Sequence, residues 1–265
     1  MYRIQSLHIY PLKSGRGLSR QHMVLDRFGP LGDRRWMLVD DHGRFVSQRD
    51  LPIMTRLNAV PGDSDIELSI DGYSLVVATP APNHPAHVSI WSDEVTARDA
   101  GDEAAQWLSE QFGRSLRLVY MGEECQRRVD TEYAHRGETV SFADGFPLLL
   151  VSAASLETLN SRLTQPVALD RFRPNLVVAG CGAHAEDEWR RIRIGSVEFD
   201  LAKPCSRCAV PSLDQMTGEK HPEILRALAS YRRGTDRQIY FGQNLVYASG
   251  GDITVGDAVE VLEAR

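Results

Sequence analysis

The sequence predicts a mainly β protein with α/β elements: a β-barrel-like unit first, then a strand-rich, barrel-like unit with helices packed outside it. Three observations carry this prediction. Short alternating or apolar runs bounded by turn residues recur along the chain, and the clearest flank Asp71-Gly72, a pair that suits a type I′ hairpin between residues 67–70 and 73–78. Helical spacing is confined to residues 102–112, the segment after Ser152, and residues 222–231. The chain ends in further strand patterns, 241–247 and 253–262.

Composition bounds the function. At 265 residues, 42% hydrophobic and 25% charged, the chain has the make-up of an ordinary soluble protein large enough for two modest domains. A net charge of −6 argues against nucleic acid as a main partner, because a binding face needs a basic excess. No run approaches a membrane span and the N-terminus opens in a strand pattern without a signal-peptide core, so a cytoplasmic protein with no membrane partner is expected. Four cysteines without a ladder of spacings fit a reducing compartment.

In chain order, residues 2–10 read as a strand, with Ile4, Leu7 and Ile9 among polar residues. It runs into Lys13-Ser14-Gly15-Arg16-Gly17, where two glycines, a hydroxyl and two cations make a cradle suited to a phosphate or oxyanion. A turn-rich segment then delivers Asp33 and Arg34 to the edge of an apolar strand; Arg34 either pairs with Asp33 at the surface or shares a pocket with Lys13. Residues 41–43 read as a turn and 44–48 as the returning strand, while 80–85 is a breaker-rich loop. The 102–112 helix carries Ala105, Trp107, Leu108 and Phe112 inward and stops at Gly113. Residues 116–120 read as a strand, and the polar stretch 121–137 as a junction, which divides the chain into units 1–120 and 121–265; Cys125 within it reads as an incidental, surface or half-buried thiol.

The second unit opens with the turn 143–147 and the apolar strand 148–151, followed by Ser152 or Ser155 as a helix N-cap. Arg173-Pro174-Asn175 stands at the mouth of the buried strand 176–180, so two strong polar side chains are delivered beside it. Residues 192–195 and 197–201 form a hairpin leading into a loop, Lys203-Pro204-Cys205-Ser206-Arg207-Cys208.

Cys205 and Cys208 allow a redox dithiol, half of a zinc site, a single thiolate ligand to a soft metal, or a bland buried pair. A dithiol normally opens a helix, and Pro211 disfavours one here. Zinc needs a second ligand pair, and Cys125 and Cys181 stand alone. Arg207 beside the thiols suits an anionic group bound at a thiolate-ligated metal, which favours the third reading.

The stretches Tyr10-Pro11-Leu12-Lys13-Ser14, Gly32-Asp33-Arg34-Arg35-Trp36, Phe172-Arg173-Pro174-Asn175-Leu176, Pro204-Cys205-Ser206-Arg207-Cys208, Phe241-Gly242-Gln243-Asn244 and Ile253-Thr254-Val255-Gly256-Asp257 together resemble the MOSC-domain family, named for the C-terminal domain of molybdenum cofactor sulfurases. The likeness covers essentially the whole chain, including the β-barrel domain that usually precedes MOSC, and in pattern stands nearest the amidoxime-reducing components and bacterial N-hydroxylated base reductases. It implies a molybdenum cofactor of the molybdopterin type, with Cys208 as the thiolate on molybdenum and Ser206 and Arg207 around the cofactor. It also implies that Lys13, Ser14, Arg34, Arg173 and Asn175 hold the pterin and its phosphate, and that Gly145 and Phe146 contribute backbone contacts. Asn244 occupies a contact position that is tyrosine in the better-known relatives.

The expected activity is therefore reduction of small N-oxygenated substrates. No iron–sulfur domain follows the last strand pattern, so no iron–sulfur cluster is expected in this chain and electrons are expected from a separate donor protein of flavin, haem or iron–sulfur type. The alternative is a carrier of the cofactor, or of a persulfide on Cys208, without turnover.

Overall fold

Seven strands close on one another to form the barrel at the centre of the computed structural model, which describes residues 1–134 and 137–265. Six come from the second half of the chain: Leu148–Ser152, Leu176–Ala179, Trp189–Ile194, Val197–Ser206, Tyr240–Tyr247 and Ala258–Ala264. The seventh is the first strand of the protein, Tyr2–Ile9, which pairs antiparallel with Leu176–Ala179 on one side and Ala258–Ala264 on the other. Without it the sheet would have two open edges. One neighbouring pair is parallel, Leu148–Ser152 with Leu176–Ala179, and the helix Ala153–Asn160 lies in the crossover such a pair requires.

Period-two alternation decides what fills the barrel. Leu148 and Leu150 face its interior with Leu176, Val178, Ile192, Ile194, Phe199 and Leu245. Leu149 and Val151, one position out of step, face outward against Phe172, Phe241, Ile224 and Leu228 and so bury the helix Glu223–Ala229. Ser152 caps the helix Ala153–Asn160, which follows it, by accepting from the Ser155 amide at 3.3 Å.

The first unit stands beside the barrel as a four-stranded sheet, ordered Trp36–Val39, Arg117–Tyr120, Asp93–Asp99, Pro85–Ile90, with a three-stranded meander of Asn58–Pro61, Asp65–Ile70 and Tyr73–Ala78. Asp71 and Gly72 both have positive φ, +54° and +90°, as the type I′ turn demands. The helix Asp102–Phe112 ends at Gly113 with φ +64° and packs Ala104 and Leu108 under the meander and the Arg117–Tyr120 strand.

Several local expectations are corrected. The returning strand at 44–48 reduces to the single bridges Val39↔Phe45 and Arg44↔Ser89; it lies along the edge of Trp36–Val39 opposite Arg117–Tyr120, where Leu12 already bridges Trp36. Past the 80–85 loop a hairpin, Pro85–Ile90 and Asp93–Asp99, was not foreseen; Pro85 stands at the first strand position, where its missing N–H is tolerated. The strand expected at 197–201 continues through Ser206, so Cys205 lies on a strand end rather than a loop. Cys125 is a buried core residue whose thiol donates to the Thr96 carbonyl at 2.9 Å.

Phe199 is fully buried in the barrel with its ring 5.8 Å from that of Tyr247. Phe199→Ala is expected to cost about 3–5 kcal/mol in urea unfolding without loss of the N-terminal hairpins. A cost under about 1 kcal/mol would mean that this position is not packed as described.

Candidate functional site

Apart from Asn244, the polar side chains singled out in the sequence leave the chain next to the end of a strand. Lys13 and Ser14 follow Tyr2–Ile9, Arg34 precedes Trp36–Val39, residues 143–146 precede Leu148–Ser152, and Arg173 and Asn175 precede Leu176–Ala179. Cys205 and Ser206 end Val197–Ser206, and Asn244 lies within Tyr240–Tyr247 opposite Lys203 and Leu149. Barrel closure gathers these ends at one rim. Lys13, Ser14, Arg34, Gly145, Phe146, Arg173, Asn175, Arg207, Cys208 and Asn244 line a single cleft. Ser206 does not reach it; it lines the adjoining outer cavity, which Cys208, Arg207 and Asn244 also border.

The backbone is held in unusual conformations here. Of the seven described non-glycine residues with positive φ, Ser14 (+64°), Arg34 (+47°), Arg173 (+56°) and Trp91 (+56°) all line the cleft. Such residues persist only where their surroundings over-determine them, and they concentrate at ligand sites.

Hydrogen bonds supply that determination. Asp33, 1% exposed, accepts from the Tyr10 amide at 2.7 Å and from Arg34 Nη1 at 2.5 Å. The buried Asn175 takes Arg34 Nη1 (3.1 Å) and the Leu149 amide (3.2 Å) on Oδ1, and donates from Nδ2 to the His8 carbonyl (3.1 Å). Asn175 therefore ties Arg34 to two barrel strands and uses its side chain in doing so. The Arg34 and Arg173 guanidiniums lie 4.4 and 4.2 Å from the Tyr10 ring centroid, and the Tyr10 hydroxyl donates to the Pro174 carbonyl at 3.0 Å. Burial raises the Tyr10 pKa, so the phenol stays a neutral donor.

Enough donor capacity is left over to name what the cleft can hold. Lys13 Nζ gives one hydrogen to the Phe142 carbonyl (2.8 Å) and one to Asp144 (2.7 Å), leaving a third. Arg173 donates from Nη1 to the Gly15 carbonyl at 2.6 Å, while its buried Nη2 has no partner among the described residues. Arg207 donates to the Phe172 carbonyl (2.8 Å) and to Cys205 Sγ (3.0 Å), while its buried Nε has none among them. Unsatisfied buried guanidinium nitrogens are costly, and an anion with several acceptor oxygens removes the cost. Burial and the neighbouring Arg34 lower the Arg173 pKa to about 10, which leaves it cationic at neutral pH. Burial also lowers Lys13, against the pull of Asp144.

The two thiols differ. Cys205 is half-buried, receives the Arg207 hydrogen bond and packs against the outer core of the barrel. Cys208 is exposed and makes no hydrogen bond among the described residues, so it is the sulfur free to take a ligand. Among the described residues no group of three or more His, Cys, Asp or Glu side chains could hold a metal. A zinc site needs three or four protein ligands. One free soft sulfur beside buried cations instead suits a metal whose other ligands arrive with an anionic organic group. A Cβ on Gly145 would meet nothing within 4 Å, so its backbone faces open space and glycine is not sterically required. The Asn244 amide makes no hydrogen bond to the described residues and borders both cavities.

Sequence reasoning missed part of the lining. Phe45, Ser47, Arg49 and Trp91 of the first unit, with Asp144, complete the cleft. The one local signal was a tryptophan in a two-residue hairpin turn, a position that normally takes Gly, Asn or Asp.

The family model described as the MOSC N-terminal beta barrel domain matches residues 1–115, and that described as the MOSC domain matches residues 137–260. The chain is similar to mitochondrial amidoxime-reducing component 1 of Mus musculus, 34% identical across 98% of this chain and 82% of the relative. It is also similar to component 1 of Homo sapiens, 32% identical over 98% and 82% of the two chains, and to component 2 of Bos taurus, 32% identical over 97% and 82%.

If the unpaired guanidiniums are an anion site, inorganic phosphate stabilises the cofactor-free protein. A melting temperature raised by about 3 °C is expected at a tenfold excess over the dissociation constant. Arg173→Asn, which tolerates left-handed backbone, should lose most of that gain. An equal gain in the variant would remove Arg173 from the site.

Proposed function

The chain belongs to the MOSC-domain family, and on that premise we propose that it is a molybdenum-cofactor-dependent reductase of N-hydroxylated and other N-oxygenated compounds. The observation that carries the proposal is the meeting, in one cleft, of a free thiol at Cys208 with the buried and unsatisfied donors of Arg173 and Arg207. These residues fit a group that presents a phosphate at one end and a thiophilic metal at the other.

In this reading Cys208 is the thiolate ligand to molybdenum. Arg173, Arg207, Lys13 and the Ser14 hydroxyl hold the phosphate and pterin, with Ser206, Asn244 and the backbone of Gly145 and Phe146 around them. Arg34 contributes charge, and Asn175 acts mainly by fixing Arg34 and the Leu149 amide, since its oxygen accepts from both and one of its two Nδ2 hydrogens goes to the His8 carbonyl. When bound, the cofactor supplies the two-electron chemistry that cleaves an N–O bond and releases the oxygen as water. The protein orients the cofactor and, by crowding cations around it, favours its more negative, reduced form. Cys205, held by Arg207, is a packing and positioning thiol.

The reading includes electrons from a separate flavin, haem or iron–sulfur protein and a cytoplasmic site of action. Among the described residues no helix is long and apolar enough to cross a membrane. It also divides the chain into units 1–120 and 121–265, with Tyr2–Ile9 lent by the first to the barrel of the second.

The test is reduction of benzamidoxime to benzamidine by the molybdenum-loaded protein with a reduced viologen as donor. Cys208→Ser should fold normally and lose about 100-fold or more in kcat/KM, and Cys205→Ser much less. Full turnover by a well-folded Cys208→Ser protein contradicts the assignment. Absence of turnover in a loaded wild-type protein would point to a cofactor carrier.

A further inference from the structure

Trp91 and Ser92 form the two-residue turn between Pro85–Ile90 and Asp93–Asp99, with Ile90 paired to Asp93. Only the first turn residue has positive φ, +56° at Trp91, a position that two-residue hairpins give to glycine. A bulky aromatic residue there is strained, and core packing does not repay the strain, because Trp91 is 50% exposed. The indole reaches across to the barrel rim instead. Its Nε1 donates to Asp144 Oδ1 at 3.4 Å, Phe45 meets it edge-on at 5.0 Å, and the rest of the ring lines both cavities that Cys208 borders.

Arg49 lies on this indole, its guanidinium 4.5 Å from the ring centroid. Among the described residues its side chain makes one hydrogen bond, from Nε to Ser47 Oγ at 3.3 Å, and no ion pair. Four N–H donors are therefore left at the cleft wall. Lys13, Arg34, Arg173 and Arg207 are spoken for by carbonyls, Asp33, Asp144 and the proposed phosphate site, whereas Arg49 rests on Trp91 and on Phe45, the ring that Lys13 Nζ also faces at 5.1 Å, and keeps its remaining guanidinium hydrogens.

We infer that Trp91 and Arg49 form the substrate-selecting wall of the cleft, taking planar conjugated N-oxygenated compounds on the indole and favouring those that carry a carboxylate or similar anionic group. This rests on the reductase reading above. The same wall favours turnover: amidoximes are neutral near pH 7, whereas the amidine products are protonated, so the cations repel product more than substrate. Trp91 and Arg49 are specificity residues in this account.

The test compares wild type, Trp91→Gly and Arg49→Gln with benzamidoxime, 4-carboxybenzamidoxime and ringless hydroxylamine. Glycine accepts the φ of Trp91, so Trp91→Gly is expected to melt no lower than wild type. Its ratio of kcat/KM for benzamidoxime over hydroxylamine should fall about tenfold, chiefly through KM. Arg49→Gln should lower the ratio for 4-carboxybenzamidoxime over benzamidoxime by about tenfold and keep its molybdenum content. Unchanged ratios overturn the inference, and loss of molybdenum from Arg49→Gln assigns that residue to the cofactor instead. If wild type reduces none of these compounds, the reductase reading fails by itself and the wall is judged by binding. Trp91 is the one tryptophan of four that lines the cleft. Titration with 4-carboxybenzamidoxime should then quench tryptophan fluorescence in wild type and not in Trp91→Gly, and equal or absent quenching in both refutes the wall.

Discussion

The structure is organised by mutual repulsion among cations. Lys13, Arg34, Arg173 and Arg207 are brought to one cleft, and removing such groups from water costs on the order of several kcal/mol each before any pairing. One full carboxylate, Asp33, is buried among them, and Asp144 meets Lys13 from the exposed side. The remaining compensation comes from the Phe142, Gly15 and Phe172 carbonyls, the Asn175 amide oxygen and the Tyr10 ring. It is incomplete, since Arg173 Nη2 and Arg207 Nε have no partner among the described residues. An anion with several acceptor oxygens would cancel such a deficit.

Barrel closure and the cleft are one construction. Tyr2–Ile9 fills the gap between Leu176–Ala179 and Ala258–Ala264, and the chain leaves it directly into the loop that carries Lys13 and Ser14. Asn175 then fastens the His8 carbonyl, the Leu149 amide and Arg34 at the same point. The first unit contributes a strand to the barrel and both a cation loop and an aromatic wall to the cleft.

Much of this was legible from the residues. Cations placed in glycine- or proline-bearing turns next to strands, as at Lys13, Arg34, Arg173 and Arg207, are expected to converge and do line one cleft, while the Cys205–Cys208 spacing by itself leaves several chemistries open. The Asp71-Gly72 hairpin and the Gly113 helix end follow from backbone preferences that single residues dictate. Long-range pairing was less legible. Alternation shows that residues 2–10 form a strand but not that its partner lies at Leu176–Ala179, because a period of two carries no address. Trp91 and Arg49 escaped notice because their role depends on a hairpin tip meeting the barrel rim, and Cys125 was misjudged because a polar neighbourhood in sequence was taken for a polar one in space.

The central claim is that the deficit at Arg173 and Arg207 and the free sulfur of Cys208 belong to one molybdenum–pterin group. The most direct measurement is the metal content, by mass spectrometry, of protein purified from cells that synthesise molybdenum cofactor, with pterin measured by fluorescence after oxidation of the same sample. The account predicts molybdenum and pterin together at close to one of each per chain. Zinc alone, or neither molybdenum nor pterin even after reconstitution, would contradict it.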